Sequence, residues 1–253
     1  MMRAMDVSLA ATVALTGVAL VAGFVDAIAG GGGLLTLPAL LHAGIPTDVS
    51  LGTNKGQSVF GSGAALVRFA RAGKIHGGRS VPSFFAGLAG SASGAVLVTY
   101  VDKSTLRPLV IALLIAAALL VMLPRPTNVK HPRRPLIVAS AIALAIGFYD
   151  GFFGPGTGTL LIVGFMWLLG EEAADASANA KVVNFASNLA AVIAFAAAGL
   201  VLWSVSLPMA AGQFVGGWIG AHVVLTRGSN VVRVAAVCVA LALVAKLTVD
   251  ALA

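Results

Sequence analysis

The sequence predicts an all-α polytopic membrane protein, with about eight transmembrane helices in two tandem parallel four-helix repeats. Hydrophobic residues make up 59% of the 253 positions, charged residues only 10%, and the mean hydropathy is +1.00. One soluble core cannot bury that much apolar side chain, so the chain is expected to lie in a lipid bilayer. A glycine-rich stretch that occurs twice and a regular spacing between matching residues predict how the helices are arranged.

Ten apolar segments follow one another along the chain. Two of them, at 34–43 and 159–169, are about half as long as a membrane-crossing helix, so they are expected to be half-helices or re-entrant segments. The other eight approach the roughly 20 residues that a crossing needs. They lie at about 7–29, 50–70, 81–100, 106–123, 136–153, 177–200, 207–225 and 231–249.

A carboxylate and four consecutive glycines interrupt the first apolar run. Residues 23–26 (GFVD) are followed by glycine at each of 30–33, and four glycines in a row cannot hold a helix. The first helix is therefore expected to end there, and a short one to begin near Leu34. A half-helix N-terminus inside the membrane presents free N–H groups and the positive end of the helix dipole, which suits an anion.

The same break recurs in the second half, where residues 147–150 (GFYD) are followed by glycine at 154 and 156. Asp26 and Asp150 are 124 positions apart, and Lys55 and Lys181 are 126 apart. Internal repeats with hydrophobic segments interrupted at matching places indicate a secondary transporter. The chain is thus expected to form one transmembrane domain over 1–253. Its parts are a first repeat at 7–123, a basic linker at 124–135 and a second repeat at 136–250.

Charged residues in the loops predict the orientation. Two basic segments are expected to be cytoplasmic: the linker, with Arg125, Lys130, Arg133 and Arg134, and the loop after the third segment, with Arg68, Arg71, Lys74 and Arg79. Four acidic residues are expected outside: Asp48, Glu171, Glu172 and Asp175. Each half then has four crossings, an even number. The two repeats should therefore share one orientation, with both termini in the cytoplasm.

Two lysines are expected at membrane depth, Lys55 and its counterpart Lys181. A lysine near the bilayer centre costs roughly 2.5–3.5 kcal/mol, so each needs a partner. Polar residues share a helix face with each lysine at spacings of i+3 and i+7: Ser58 and Ser62 in the first copy, Asn184 and Asn188 in the second. Thr53, Asn54 and Gln57 widen the first polar surface, and Asn179 widens the second.

Two interpretations of these charges remain open. In the first, the lysines, the polar side chains and the free amides of the breaks form an anion site. Its expected residues are Gly30, Gly31, Gly32, Gly33, Thr53, Asn54, Lys55, Gln57, Ser58, Ser62, Gly154, Gly156, Lys181, Asn184 and Asn188. In the second, Lys55 pairs with Asp26 and Lys181 pairs with Asp150 as structural ion pairs. The aspartates could also cap helices across the breaks or carry a proton in ion coupling.

Other function classes fit the sequence less well. The net charge of +7 comes from short loops between apolar segments, so nucleic-acid binding is not expected. His42 and His222 have no second ligand at metal-binding spacing, and no metal or cofactor is expected. Ser62 with His222 as base would make an intramembrane hydrolase. However, the nucleophile motif is absent and the matching residue in the other copy is an asparagine, so no enzyme is expected. A passive anion channel is the main alternative to a carrier, and an intramembrane enzyme is a weaker one.

Together these motifs resemble the TauE/SafE family of sulfite exporters, over nearly the whole chain. The resemblance implies a transporter of sulfite, sulfoacetate or another organosulfonate in the bacterial inner membrane, built from two four-helix repeats. It carries a glycine-rich motif onto 30–33 and a Thr-Asn-Lys motif onto 53–55. The second half departs from both motifs, with Asn-Ala-Lys at 179–181 and a proline at 155. The expected partners are a small anionic substrate and the lipid bilayer, and a homo-oligomer is left open.

Overall fold

The computed structural model describes residues 7–75, 77–102, 104–106, 108–113 and 132–232. Within these ranges every regular element is an α-helix, which confirms the all-α class. Most of the fifth and last apolar segments, linker residues 124–131 and both termini lie outside them. The eight helices used below are α1 (Leu9–Ala29), α2 (Gly33–His42), α3 (Thr47–Arg71), α4 (Gly77–Thr99), α5 (Pro135–Phe152), α6 (Thr157–Leu169), α7 (Ala173–Ala197) and α8 (Trp203–Arg227).

Both predicted breaks are present, and a short helix follows each one. The helix α1 begins after Ser8, whose Oγ accepts a hydrogen bond from the N–H of Ala11 at 3.2 Å. It ends at Gly30, which has a left-handed φ of +82° that only glycine adopts readily. The helix α2 has 10 residues and α6 has 13, so neither is long enough to cross a bilayer. The prediction of two half-helices is confirmed.

Four described helices, α1, α4, α5 and α7, are long and apolar enough to cross a membrane by length and composition. The sequence predicts eight such segments. Both α3 and α8 match α7 in length, at 25 residues each, but α3 carries more polar and charged side chains, and α8 contains Gln213, His222 and several glycines. Those side chains are largely turned into the bundle: Lys55 and Gln57 of α3 and Gln213 of α8 are buried. Polar residues on the inward faces of α3 and α8 lower their mean hydropathy, so a hydropathy criterion does not select these two helices as membrane-crossing.

The contacts between α3 and α7 show that equivalent helices of the two predicted repeats run in opposite directions, an inverted arrangement. These helices are equivalent, since they carry Lys55 and Lys181. Gly52, near the start of α3, packs against Phe195 near the end of α7, whereas Gly63, farther along α3, packs against Phe185 nearer the middle of α7. The two helices thus run antiparallel. The expectation of parallel repeats is wrong, and the axis that relates them lies across the helices rather than along them.

The path of α1 and α2 explains why the second half is inverted relative to the first. Leu40, near the end of α2, belongs to the same hydrophobic cluster as Leu15 of α1 and Val49 at the start of α3. The helix α2 therefore runs back toward the end of the bundle at which α1 began. Since α1 and α2 together do not change sides, the pair contributes no net crossing, where the sequence suggested one. An odd number of crossings turns the second half over.

One end of the bundle, which we call the basic face, contains the α3–α4 loop and the starts of α5 and α7. Arg79 Nη2 lies 2.8 Å from Glu171 Oε1, and Lys74 Nζ lies 3.1 Å from Asp175 Oδ1. The expectation that Glu171, Glu172 and Asp175 lie across the membrane from this loop is therefore wrong. Apart from Lys55 and Lys181, the lysines and arginines that the structure describes all lie at this face: Arg68, Arg71, Lys74, Arg79, Arg133, Arg134 and Arg227.

The helix α1 begins at the opposite face. It runs parallel to α8, because Leu20 packs against Gly216 and Phe24 packs against Gly220, and α8 ends at the basic face. The start of α1 and the α3–α4 loop are thus on opposite sides of the bundle. The sequence predicted that the α3–α4 loop and the N-terminal end are both cytoplasmic. Because the loop and the start of α1 lie on opposite sides, that prediction is wrong for one of them. Residues 1–6 and 233–253 lie outside the described ranges.

Cysteine labelling tests the inverted arrangement. In a Cys238→Ser background, Ala72→Cys and Glu172→Cys are expected to react with a membrane-impermeant maleimide from one side of the membrane. The substitutions His42→Cys and Ala198→Cys are expected to react only from the other side, because all four positions are exposed but belong to opposite ends of the bundle. Labelling of Ala72→Cys and Glu172→Cys from opposite sides would contradict the inverted arrangement and support parallel repeats.

Candidate functional site

The two glycine breaks touch each other at the centre of the bundle. The Gly30 and Gly158 backbones pack so closely that a methyl group on either would overlap the other. The N–H of Thr159 donates to the Gly30 carbonyl at 3.2 Å, and its hydroxyl donates to the Ala29 carbonyl at 2.7 Å. The first residue of α2, Gly33, lies beside Pro155 just before α6. Thus two helix N-termini, one from each repeat, meet at one place.

Helix N-termini leave backbone N–H groups without a partner in their own helix. Among the described residues, the N–H groups of Gly33 and Gly158 donate to no partner, and both glycines line the central cavity. The carbonyls at the end of α1, by contrast, are occupied. Ala29 accepts from Thr159, and Ala27 accepts from the hydroxyl of Ser177 at 2.9 Å. The meeting point therefore offers free N–H donors, while the carbonyls at the end of α1 are already paired.

Two buried salt bridges cross between the repeats. Lys55 Nζ lies 2.6 Å from Asp150 Oδ1, and Lys181 Nζ lies 2.7 Å from Asp26 Oδ2. Each lysine thus pairs with the aspartate of the other half, so the expected pairs within one half are wrong. Inversion is the physical reason, because it places α3 beside the second break and α7 beside the first. Reciprocal exchange of this kind is what a twofold relation produces.

The two aspartates have different surroundings. Asp150 accepts hydrogen bonds from Lys55, from the hydroxyl of Thr157 at 2.7 Å and from the hydroxyl of Ser187, and its side chain is 2% exposed. Its carboxylate is therefore well supplied with donors. A buried carboxylate in such a setting is held in one geometry.

Asp26 has fewer donors and more open space. Its carboxylate accepts from Lys181 and, at a long 3.4 Å, from the N–H of Gly32, and its side chain is 17% exposed. At the positions that match Thr157 and Ser187, the first half has Gly33 and Gly61. Both hydroxyl donors are thus missing from the first half.

A small polar cavity of about 20 Å³ lies between the breaks, room for about one water molecule. Many of the predicted site residues line it: Gly30, Gly32, Gly33, Asn54, Lys55, Ser58, Gly154, Asn184 and Asn188, together with Asp26 and Asp150. Gly158 and Gln213 complete the lining. Within the described ranges, the Oδ1 of Asn184 is buried without a hydrogen-bond partner. The polar residues named from sequence therefore do gather around one space.

Six predicted residues do not line this cavity: Gly31, Thr53, Gln57, Ser62, Gly156 and Lys181. Thr53 accepts a hydrogen bond from the N–H of Leu202 at 3.0 Å, which ties α3 to the start of α8. Lys181 is completely buried and reaches the cavity only through its partner Asp26. Gly31 and Gly156 lie in the breaks themselves.

Gln57 and Ser62 support the cavity wall from within α3. The amide of Gln57 donates to Asn54 Oδ1 at 2.9 Å, and Thr36 Oγ1 donates to the same oxygen at 2.5 Å, which orients Asn54. Ser62 donates to the Ser58 carbonyl of its own helix at 2.8 Å. His222, the base considered for a hydrolase, instead has its Nδ1 2.9 Å from Arg68. The geometry of an activated serine is therefore not formed.

Sequence patterns missed several residues of the site. Thr157 and Ser187 were not identified because a comparison of the two halves selects residues that both halves share. Each of them matches a glycine in the first half. Gln213 was not identified because it is an isolated amide in an apolar, glycine-rich helix and belongs to no motif. That isolation was itself a usable signal, since a lone amide at membrane depth needs a partner. Within the described ranges, no three His, Cys, Asp or Glu side chains come together as a metal site.

A profile of the family described as "Sulfite exporter TauE/SafE" matches residues 15–247. The chain belongs to this family. Among its relatives, the TauE/SafE protein is 41% identical to "Probable membrane transporter protein ORF9" of a Sinorhizobium species, over 92% of this chain and 90% of the relative. It is 38% identical to "Probable membrane transporter protein YfcA" of Escherichia coli K12, over 92% and 88%.

A third relative, a "Probable membrane transporter protein" of Haemophilus influenzae, is 36% identical over 97% of this chain and 98% of its own length. No solved structure matches the chain. The family and the names of the relatives agree with the apolar helices, and the protein is a multi-pass membrane transporter of the TauE/SafE family. The family resemblance found in the sequence is confirmed.

Proposed function

We propose that this protein is a secondary transporter of a small sulfur-containing anion, such as sulfite, sulfoacetate or another organosulfonate. The anion binds in the central cavity, and the two inverted repeats move against each other to open it to either side. One observation carries the proposal: the N-termini of α2 and α6 converge there with the N–H groups of Gly33 and Gly158 free among the described residues. Broken helices of this kind hold anionic groups in transporters.

The balance of charge supports an anion over a cation. Lys55 and Lys181 are matched by Asp150 and Asp26, so the four side chains add no net charge to the site. The free donors at the helix N-termini then tip the local potential toward positive. Asn54 and Asn184 add amide groups that can orient the substrate oxygens. An anion is expected to compete with Asp26 for Lys181, because Asp26 is the less enclosed aspartate.

The orientation we propose follows from the basic face. Lysine and arginine in short loops favour the cytoplasm, and the described basic residues outside the core all lie at this end. The basic face is therefore placed in the cytoplasm of a bacterial cell, with the bundle in the inner membrane. The start of α1 then lies on the outer side.

Counterflow in proteoliposomes tests the transporter and separates it from a channel. Uptake of radiolabelled sulfite is expected to saturate, and to become several-fold faster when the vesicles are preloaded with unlabelled sulfite. Preloading accelerates a carrier because the loaded site returns faster than the empty one, whereas it does not accelerate flux through a pore. Sulfoacetate is run in parallel, with acetate and protein-free vesicles as controls. Flux that rises linearly with concentration and ignores preloading would favour the passive channel.

A further inference from the structure

Gln213 is a buried polar residue with no partner yet assigned. It lies on α8, lines the central cavity and is 2% exposed. Among the described residues, its carboxamide makes no hydrogen bond. The amide atoms themselves are not sealed in the protein interior, so the carboxamide is accessible from the cavity. A carboxamide that lines the cavity without a protein partner is placed to bind a molecule that enters it.

Two glycines on other helices hold this side chain in place. A methyl group added to Gly61 of α3 would overlap Gln213 Oε1. One added to Gly23 of α1 would lie 2.5 Å from the Gln213 backbone oxygen and 2.8 Å from Oε1. Both helices thus present a glycine where any larger residue would push the carboxamide away. With the oxygen end in this slot, the Nε2 group is left to donate.

The other half of the protein has no such residue. Gly87 takes the place of Gln213 in the repeat, and Ser187 takes the place of Gly61. Ser187 donates to Asp150 and helps to enclose it, so that aspartate is 2% exposed against 17% for Asp26. Asp150 is thus more tightly enclosed by protein than Asp26. Gln213 lies on α8 of the second half but packs against Gly23 and Gly61 of the first half.

We propose that Gln213 is a substrate-binding residue, whose Nε2 donates a hydrogen bond to an oxygen of the sulfur anion, and that Gly23 and Gly61 position it. This deepens the proposed function and rests on it. A hydrogen bond to a charged acceptor contributes about 10- to 100-fold to affinity. Gln213 therefore helps to select an oxyanion from other solutes, and binding takes place in the half of the cavity next to Asp26.

Binding of sodium sulfite to purified protein in detergent, measured by calorimetry, tests the role of Gln213. Gln213→Leu keeps the bulk without the donor, and it is expected to raise Kd at least tenfold. Gln213→Glu is nearly isosteric and adds a carboxylate beside Asp26, so a larger loss is expected. The matched control is Ser206→Ala on the same helix, whose hydroxyl donates to the Thr53 carbonyl instead of lining the cavity. Its Kd is expected to stay within twofold of wild type.

A double-mutant cycle separates positioning from general damage. Gly61→Ala is expected to weaken sulfite binding in the natural background, because the new methyl displaces the carboxamide. The same change in a Gln213→Ala background is expected to have little further effect. An equal loss in both backgrounds would overturn the positioning role. If Gln213→Leu does not elute as a folded protein, Gln213→Glu and this cycle still decide the question.

The ratio of sulfite to sulfoacetate affinity gives a second readout, since loss of one donor should change the ratio and mere loosening of the fold should not. Wild-type protein that binds neither anion would overturn the proposed function, and this inference with it. Wild-type protein that binds, together with Gln213→Leu within twofold of it, would overturn only the role of Gln213.

Discussion

Replacing Lys55 by Met is expected to lower the free energy of unfolding by about 3–5 kcal/mol, because it leaves a buried carboxylate without its counter-ion. Both side chains of the Lys55–Asp150 pair are 2% exposed and their charged atoms are 2.6 Å apart. Unfolding by SDS in mixed micelles measures the change. Sulfite transport by the same variant is expected to fall to background, because the second break loses the contact between Lys55 and Asp150.

Two controls accompany this variant. The double substitution Lys55→Met and Asp150→Leu removes both charges and is expected to recover most of the lost stability. Lys74→Met breaks the surface pair with Asp175, whose side chains are 48% and 30% exposed, and should cost less than about 1 kcal/mol. A Lys55→Met protein as stable as wild type would mean that the crossed pair does not form in the folded protein.

Replacing Gly30 by Ala is expected to stop transport. Gly30 has a φ of +82°, and its added methyl group would overlap the Gly158 backbone where the two breaks meet. The left-handed conformation costs a residue with a side chain about 1–2 kcal/mol, and forced overpacking costs about 1–3 kcal/mol more. Because the overlap separates the N-termini of α2 and α6, binding should suffer more than stability. Sulfite flux and unfolding are measured on the same preparation.

Gly44→Ala is the matched control for Gly30→Ala. Gly44 has nearly the same φ, +80°, but nothing lies within 4 Å of the added methyl group. It should therefore show only the conformational cost of about 1–2 kcal/mol and keep its transport. Equal transport by the two variants would mean that the contact between the breaks is not needed for function.

Much of the local structure could be predicted from residue types. Glycine at 30–33 terminates α1 because its backbone entropy opposes a helix, and the break was found at that place. Lys55 and Lys181 required partners because an isolated charge is costly at membrane depth, and both were found paired. Asn54, Ser58, Asn184 and Asn188 were predicted to face one space, and they line the cavity.

The direction of the second half could not be obtained in the same way. A count of apolar segments treats α1 as one crossing, whereas α2 returns along it and the pair stays on one side. A change of one in the number of crossings reverses the direction in which every later helix crosses the membrane. The acidic residues were misplaced for the same reason: Glu171 and Asp175 were assigned to the outer side by counting crossings, yet they pair with Arg79 and Lys74 at the basic face.

By itself, the sequence determined that this protein is a helical membrane protein with an interrupted helix in each half, because hydrophobicity, glycine entropy and the cost of a buried charge act locally. Only the tertiary structure decided which aspartate each lysine meets, and that Gln213 joins the cavity. Those choices depend on the direction in which helices far apart in the chain run past each other. No residue encodes that direction alone, since it follows from whether the chain turns back at the first break.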